Sequence, residues 1–309
     1  MTGPAVAPVR AEVPVVRAAV TRGWRRDPWR RPRFLAGFTW AYLLWSLVPV
    51  AIAVLFSFNA GRSRSTWQGF SLRWYYQDPV LSVWHDPSLR EALFQSLRLA
   101  ALTTLVAVPI GVAFAIGIDR WRGRPAAFWN FQMLLSFVMP ELIIGVTLLT
   151  VFTQLFTFVH LGTSAQLLGL ITFQISYPVI IVRARLLTIG KEYEEAAMDL
   201  GASPTQALRR VLLPLLYPAI FASAVLVFAD VIDDFVIVRY LSLGASTEPM
   251  GVKIYNAARS SPTPALNALA SIMLVSSLAV VATGFLAYRR MTRGERDQKA
   301  ALGDIAAQI

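Results

Sequence analysis

Four carboxylates interrupt otherwise apolar stretches of this 309-residue chain: Glu141, Asp230, Asp233 and Asp234. Among Leu, Val, Ile and Phe a bare carboxylate is costly, so each must face a polar cavity, a partner group or a cation. Asp230, Asp233 and Asp234 stand at i, i+3 and i+4, a spacing that would set all three on one face of a continuous helix. Like charges placed together repel, and the nearest basic residues, Arg98 and Arg239, lie only at the edges of such stretches. The chemistry that suits this constellation is reversible cation binding. Two structural alternatives stand beside it. The three aspartates could snorkel to a membrane interface. Glu141, which follows Pro140, could stabilise the start of a helix half through the helix dipole. Other chemistries find no footing in the sequence. There is no cysteine for a disulfide or thiolate metal site. His85 and His160 are far apart and lack metal-ligand spacing or a carboxylate orienter. No G-x-x-x-x-G-K-[ST] loop is present to cradle nucleotide phosphates.

The elements that must position these carboxylates are membrane spans. Apolar residues make up 56% of the chain and charged ones 15%, an unusual balance for a soluble domain. Six windows reach the roughly 20 residues needed to cross a bilayer as helix: 38–58, 96–118, 131–152, 165–182, 217–238 and 266–287. They are continuous runs, not alternating strands, so a closed barrel is excluded. The fold class is all-α, a polytopic membrane protein with six transmembrane helices. Internal prolines such as Pro49, Pro109, Pro140 and Pro178 fit spans whose neighbours satisfy the freed backbone groups.

The net charge of +11 invites a nucleic-acid reading, but its distribution argues otherwise. With the N-terminus in the cytoplasm, 21 of the 29 Lys and Arg fall in 1–37, 119–130, 183–216 and 288–309, against seven in 59–95, 153–164 and 239–265. This is the positive-inside asymmetry, and it puts both termini in the cytoplasm with no nucleic-acid partner. The expected organisation is a basic, partly disordered segment 1–37, a six-helix domain 38–287 with a cytoplasmic loop at 188–214, and a tail 288–309. The first segment has no apolar core and is not a cleavable signal peptide. Trp67, Trp74, Tyr75, Tyr76 and Trp84 of the first outer loop are expected at the lipid headgroup level, or at a docking surface for an external protein.

Within the loop, good helix formers run from Lys191 to Leu200, and Gly201 supplies the left-handed position that closes a helix. Ser203, Pro204 and Gln206 then give a cap, a first-turn proline and a capping box for a second short helix. Pro214 should turn the chain into the fifth span. A pair of short helices with small Ala196 and Ala197 on its surface can enter a partner's groove, or rest on the membrane as an ordinary amphipathic loop.

Glu195-Ala196-Ala197, then Gly201, then Val211-x-Leu213-Pro214 resembles the EAA loop of permease subunits of bacterial ATP-binding-cassette importers, with Val211 where Ile is usual. The stretch Asp199-Leu200-Gly201-Ala202-Ser203 is similar to the polyamine, sulfate and ferric-ion branches. Met139-Pro140-Glu141, Asp233-Asp234-Phe235, Val252-Lys253-Ile254-Tyr255 and Pro264-x-x-Asn267-Ala268-Leu269-Ala270 resemble the spermidine/putrescine permeases, over about residues 90–287. The resemblance implies a MetI-like permease fold in a bacterial inner membrane. It also implies coupling through Glu195, Ala196, Ala197, Gly201, Ala202, Ser203, Val211, Leu213 and Pro214 to an ATPase present in two copies, which holds the ATP and Mg. A second related permease subunit and an external solute-binding protein would complete the assembly, with this chain holding no cofactor and performing no catalysis. Glu141, Asp230, Asp233 and Asp234 would line the substrate pathway. Aminoalkylphosphonate, ferric iron and sulfate remain alternative cargoes, and a cation-coupled secondary carrier is the competing class, although it leaves the EAA-like loop unexplained.

Overall fold

The computed structural model describes residues 33–306 apart from 64, 121–127, 130, 133, 134, 136, 261 and 262. The basic segment expected up to residue 37 therefore lies almost wholly outside the described residues. Residues up to Val48 and those from Pro49 onward form two separate units, and the functional elements all belong to the second.

Helix dominates. α1 (Arg33–Ser57) is followed by a loop and then by α2 (Pro87–Arg120), α3 (Glu141–Thr150), α4 (Thr163–Gln174), α5 (Ser176–Ile189), α6 (Glu192–Asp199), α7 (Pro204–Ala207), α8 (Leu213–Asp233), α9 (Val236–Leu241), α10 (Met250–Ser260) and α11 (Pro264–Ala306). Among the described residues, five helical stretches are long and apolar enough to span: Phe34–Ser57, Pro87–Arg120, Thr163–Ile189, Pro204–Asp233 and Pro264–Arg290. They coincide with five of the six windows. The remaining window holds the shorter apolar helix Glu141–Leu155, and part of its first half lies outside the described residues.

The helical core forms where α2, α5, α8 and α11 pack together, with Leu99, Val108, Val179, Val182, Leu216 and Val227 buried between them. Burying such side chains removes roughly 25 cal/mol per Å² of apolar area from water in a soluble protein. In a bilayer, close fit takes over as the organising force, and small residues admit it. Gly145 of α3 and Gly169 of α4 show this: a Cβ at Gly145 would meet the Tyr240 ring at 2.9 Å, and one at Gly169 would meet Leu241 at 2.6 Å. These two glycines let α9 lodge between α3 and α4.

Pro214 does not interrupt the helix. Helix continues from Pro204 to Asp233, with a wider π-type turn over Leu208–Leu212 immediately before the proline. That extra width absorbs the missing N–H and the ring, which a regular turn could not.

The 59–86 loop is a folded unit rather than an aromatic fringe. Trp74 is fully buried and donates from Nε1 to the Asn59 carbonyl at 2.6 Å, while the Tyr75 hydroxyl meets Ser57 Oγ at 2.7 Å. Trp67, Tyr76 and Trp84 remain exposed. The expectation that all five aromatics face the headgroup level therefore fails for Trp74, which is core; Tyr75 is half-buried. Asp78 fastens the same loop by accepting from Val80 N at 3.1 Å and Leu81 N at 2.9 Å and by pairing with Arg73 at 2.8 Å. The two backbone bonds and the guanidinium hold its carboxyl below the usual range, at about 2,. Asp86 then caps α2, accepting from Ser88 N at 2.8 Å,.

Candidate functional site

The first site is the helical hairpin between α5 and α8. In α6 the acidic residues Glu192, Glu194 and Glu195 occupy the first turn, where they complement the helix dipole,. The helix ends in a Schellman motif: Gly201 N donates to the Met198 carbonyl at 2.9 Å and Ala202 N to the Ala197 carbonyl at 3.0 Å,. Gly201 stands at φ +91°, where side-chain-bearing residues are strained,. The capping box of α7 is complete, with Gln206 N donating to Ser203 Oγ at 3.3 Å and Ser203 N to Gln206 Oε1 at 3.0 Å,.

Two further features of this hairpin matter for its chemistry. Tyr193, Met198 and Leu200 are exposed, Leu200 at 90%, which leaves an apolar edge on a polar hairpin. Glu194, in contrast, is buried and accepts a hydrogen bond and ion pair from Arg120 at the end of α2. The hairpin is thus anchored on one side and open on the other. The anchor was missed in the sequence, where Arg120 is 74 residues away and reads as one more basic loop residue.

The second site gathers the carboxylates. Glu141 is the first residue of α3, directly after the extended Pro140 (ψ 130°), so the helix-start position expected for it is real. Asp230, Asp233 and Asp234 do not share one helical face. α8 ends at Asp233, and Asp234 has ψ 130°. The break comes from the side chain of Asp234, whose Oδ1 accepts from Val238 N at 3.1 Å and opens α9,. Each carboxylate then follows its own route. Asp230 Oδ2 accepts from Gln174 Nε2 at 2.7 Å, Asp233 Oδ1 accepts from Ser277 Oγ at 3.2 Å, and Asp234 is buried. Burial of Asp234 rules out snorkelling there, while Asp233 is exposed.

Helix breaks nevertheless bring acids from different spans together. Glu141, Asp230 and Asp234 lie close enough for their charges to act on one another and on the Tyr177 hydroxyl of α5. No ion pair joins any of the three to Lys or Arg among the described residues. Beside them is a cavity of about 450 Å³ lined by Leu142, Phe235, Val236, Arg239, Tyr240 and Tyr255. The Phe235 and Tyr255 rings stand 5.0 Å apart, and Arg259 lies 4.3 Å over Tyr255, so the aromatic wall already engages one cation through its π face. The sequence pointed to the acids, and its permease-like motifs contain Phe235 and Tyr255, but it did not mark Gln174 or Tyr177. For Gln174, an amide inside an apolar window was the available signal.

A third polar cluster ties α2 to the end of α9. Gln166 is fully buried; its Nε2 donates to Ser242 Oγ at 2.8 Å and the Thr247 carbonyl at 2.9 Å, and its Oε1 accepts from Gln95 at 2.8 Å. Ser96 accepts from Met250 N at 2.9 Å. At about 1.5 Å per residue, the 25 residues from Gln95 to Arg120 place this cluster and the α6 hairpin nearly 40 Å apart along one helix.

Comparison with known proteins agrees with this architecture. Residues 107–297 match the family described as "Binding-protein-dependent transport system inner membrane component". The chain is 32% identical over 279 residues to the putrescine transport system permease protein PotI of Escherichia coli K12, covering 88% of this chain and 94% of that protein. It is 34% identical over 258 residues to the spermidine/putrescine transport system permease protein PotC of the same strain, covering 84% and 95%. Among solved structures, a bacterial alginate ABC transporter in complex with its alginate-bound periplasmic protein superposes with a TM-score of 0.66 at 16% identity, over 84% of this chain and 96% of that one. The inward-facing methionine transporter MetNI gives 0.56 at 18%, over 67% and 97%; at these identities the likeness concerns fold alone. The chain belongs to the binding-protein-dependent inner membrane components, the permease subunits through which ATP-binding-cassette importers carry solute across the membrane with a separate ATPase and a solute-binding protein.

Proposed function

We propose that this permease carries polyamines, and that Glu141, Asp230, Asp233 and Asp234 form an acidic stretch of their pathway. The observation that carries the reading is the convergence of Glu141, Asp230 and Asp234 from broken helices, with no basic partner among the described residues, beside a cavity with aromatic walls. A carboxylate deep in a bilayer costs ~3 kcal/mol on insertion scales, and a site that keeps several gains by meeting a cation. A polyamine brings ammonium charge for the acids and methylene groups for the aromatic wall. An anion such as sulfate would be repelled.

Coupling is assigned to Glu195, Ala196, Ala197, Gly201, Ala202, Ser203, Val211, Leu213 and Pro214, with the exposed Tyr193, Met198 and Leu200 meeting a groove in the ATPase. In this reading two ATPase copies hold ATP and Mg, a related permease is the second membrane subunit, and an external binding protein delivers the amine. The chain itself performs no catalysis, and both termini lie in the cytoplasm, a reading supported by the arginine distribution,. Uptake of labelled putrescine and of sulfate by the reconstituted importer tests the substrate. Putrescine should be imported, and the Asp233→Asn, Asp234→Asn double variant should lose at least about tenfold, equivalent to 1.4 kcal/mol. Wild-type import of sulfate in preference to putrescine would sink the assignment.

A further inference from the structure

Gln174 closes α4 at a point where one residue, Ile175, separates it from α5. Its side chain is fully buried. Nε2 donates to Asp230 Oδ2 at 2.7 Å, and that bond fixes the amide: the reverse orientation would set Oε1 against a carboxylate oxygen, acceptor against acceptor. Oε1 is left buried with no hydrogen-bond partner among the described residues. Buried carbonyl oxygens in native proteins are nearly always paired, so an orphan of this kind calls for an explanation. No donor reaches it among the described residues. The Asp230 carboxylate lies on one side, and the charges of Glu141 and Asp234 are within electrostatic reach.

We infer that Gln174 Oε1 and Asp230 form a subsite for one primary ammonium group of the transported amine, with Gln174 accepting an N–H rather than merely bracing Asp230. The inference rests on the polyamine reading and narrows it to an atom. A primary ammonium carries its charge on a nitrogen with three N–H donors, so a single group can satisfy a carboxylate and an amide carbonyl together. A metal ion fits less well. Hard cations draw several oxygen ligands onto one centre at about 2.0–2.6 Å, and no cluster of three or more acidic or histidine side chains able to hold one exists among the described residues. Gln174 already spends its own donor on Asp230, which leaves the second Asp230 oxygen and Oε1 for the ligand.

Two variants separate the acceptor role from a structural one. Gln174→Leu removes both the acceptor and the donor. Gln174→Glu, nearly the same shape, keeps an acceptor at Oε1, removes the amide donor and adds a carboxylate beside Asp230, a charge that a bound ammonium group offsets. In proteoliposomes holding the complete importer, with equal complex recovered for each variant, putrescine uptake is measured over a range of concentrations. Gln174→Leu should raise the half-saturating concentration at least about tenfold, while Gln174→Glu should stay within about threefold of wild type. Equal loss in both variants would overturn the inference, because the donor alone would then matter; a wild-type profile for Gln174→Leu would overturn it as well. If the unaltered importer carries no putrescine, the polyamine reading itself is what fails, and the wild-type arm shows this before any variant is compared.

Discussion

Gly201→Val is the sharpest test of the hairpin. A Cβ built at Gly201 meets nothing within 4 Å in this chain, so any defect within the chain must come from the backbone, not from a clash. At φ +91° a side-chain-bearing residue pays about 1–2 kcal/mol, and more when β-branched. Relaxing that strain means giving up the bonds from Gly201 N and Ala202 N to the end of α6, each worth roughly 1 kcal/mol. The variant takes the cheaper of these routes, so a cost of about 2 kcal/mol would lower the population of the intact hairpin by roughly 30-fold relative to alternatives. Because substitution is graded, the series Gly, Asn, Ala, Val should show falling activity, with Asn tolerated best since it enters left-handed conformations. The assay is ATP hydrolysis stimulated by loaded binding protein, alongside uptake, in the reconstituted importer; membrane insertion should persist in every variant. Normal stimulated hydrolysis by the Val variant would refute the argument that this turn couples the two subunits.

Three further outcomes are expected. Arg120→Ala leaves Glu194 buried without its partner, so α6 should become more accessible to protease and uptake should fall several-fold; reversing the pair with Arg120→Glu and Glu194→Arg should recover part of the loss, and no coupling in that double-mutant cycle would count against the anchor. Gln166→Leu leaves the Thr247 carbonyl without its donor and Gln95 with Thr163 alone, and should lower thermal stability by about 2 kcal/mol, visible as a reduced unfolding midpoint, whereas an unchanged midpoint would mean that the cluster contributes nothing. The pH dependence of the 59–86 loop follows from Asp78. Its carboxyl lies lower when folded, at about 2 against 3.8, so its contribution is complete above the unfolded value and is lost as pH falls through the folded one. Protease resistance of the loop should therefore persist at pH 5 and decline between about 4 and 2, and Asp78→Asn should remove that dependence.

What could be read from the sequence divides by range. The α6–α7 hairpin was legible because its determinants are local: Gly201, Ser203, Pro204 and Gln206 act on residues within four positions. The spans were legible as apolar length. The failures came where a side chain competes with its own backbone or reaches across the fold. Asp234 breaks the fifth span by capping α9, yet neither glycine nor proline marks the spot, so an unbroken face for Asp230, Asp233 and Asp234 was the natural expectation. Trp74 and Trp67 look alike as letters, and only the carbonyl of Asn59 makes the first a core residue. The widened turn before Pro214 leaves no trace in residue type. Gln95, Gln166 and Gln174 were passed over as neutral residues, although an uncharged amide in an apolar window still demands partners.

The folded loop around Trp74 bears on the order in which this chain acquires its structure during synthesis. Its hydrogen bonds close over short separations: five residues from Arg73 to Asp78, 15 from Trp74 to Asn59 and 18 from Tyr75 to Ser57. The bond from Met250 to Ser96 closes over 154 and that from Gln166 to Thr247 over 81. Short closures form early because little loop entropy must be spent first. On that basis the internal hydrogen bonds of the 59–86 unit should close as soon as α2 has been made, and the packing of Arg73–Gln77 on α11 follows when that last helix exists. Ser82 is fully buried and bonds the Asp78 carbonyl, and the chain has no native cysteine, so the sulfhydryl introduced by Ser82→Cys reports on this step alone. In a nascent chain halted after residue 120 it should already be shielded from a membrane-impermeant maleimide; free labelling at that length would mean that the unit waits for the rest of the bundle.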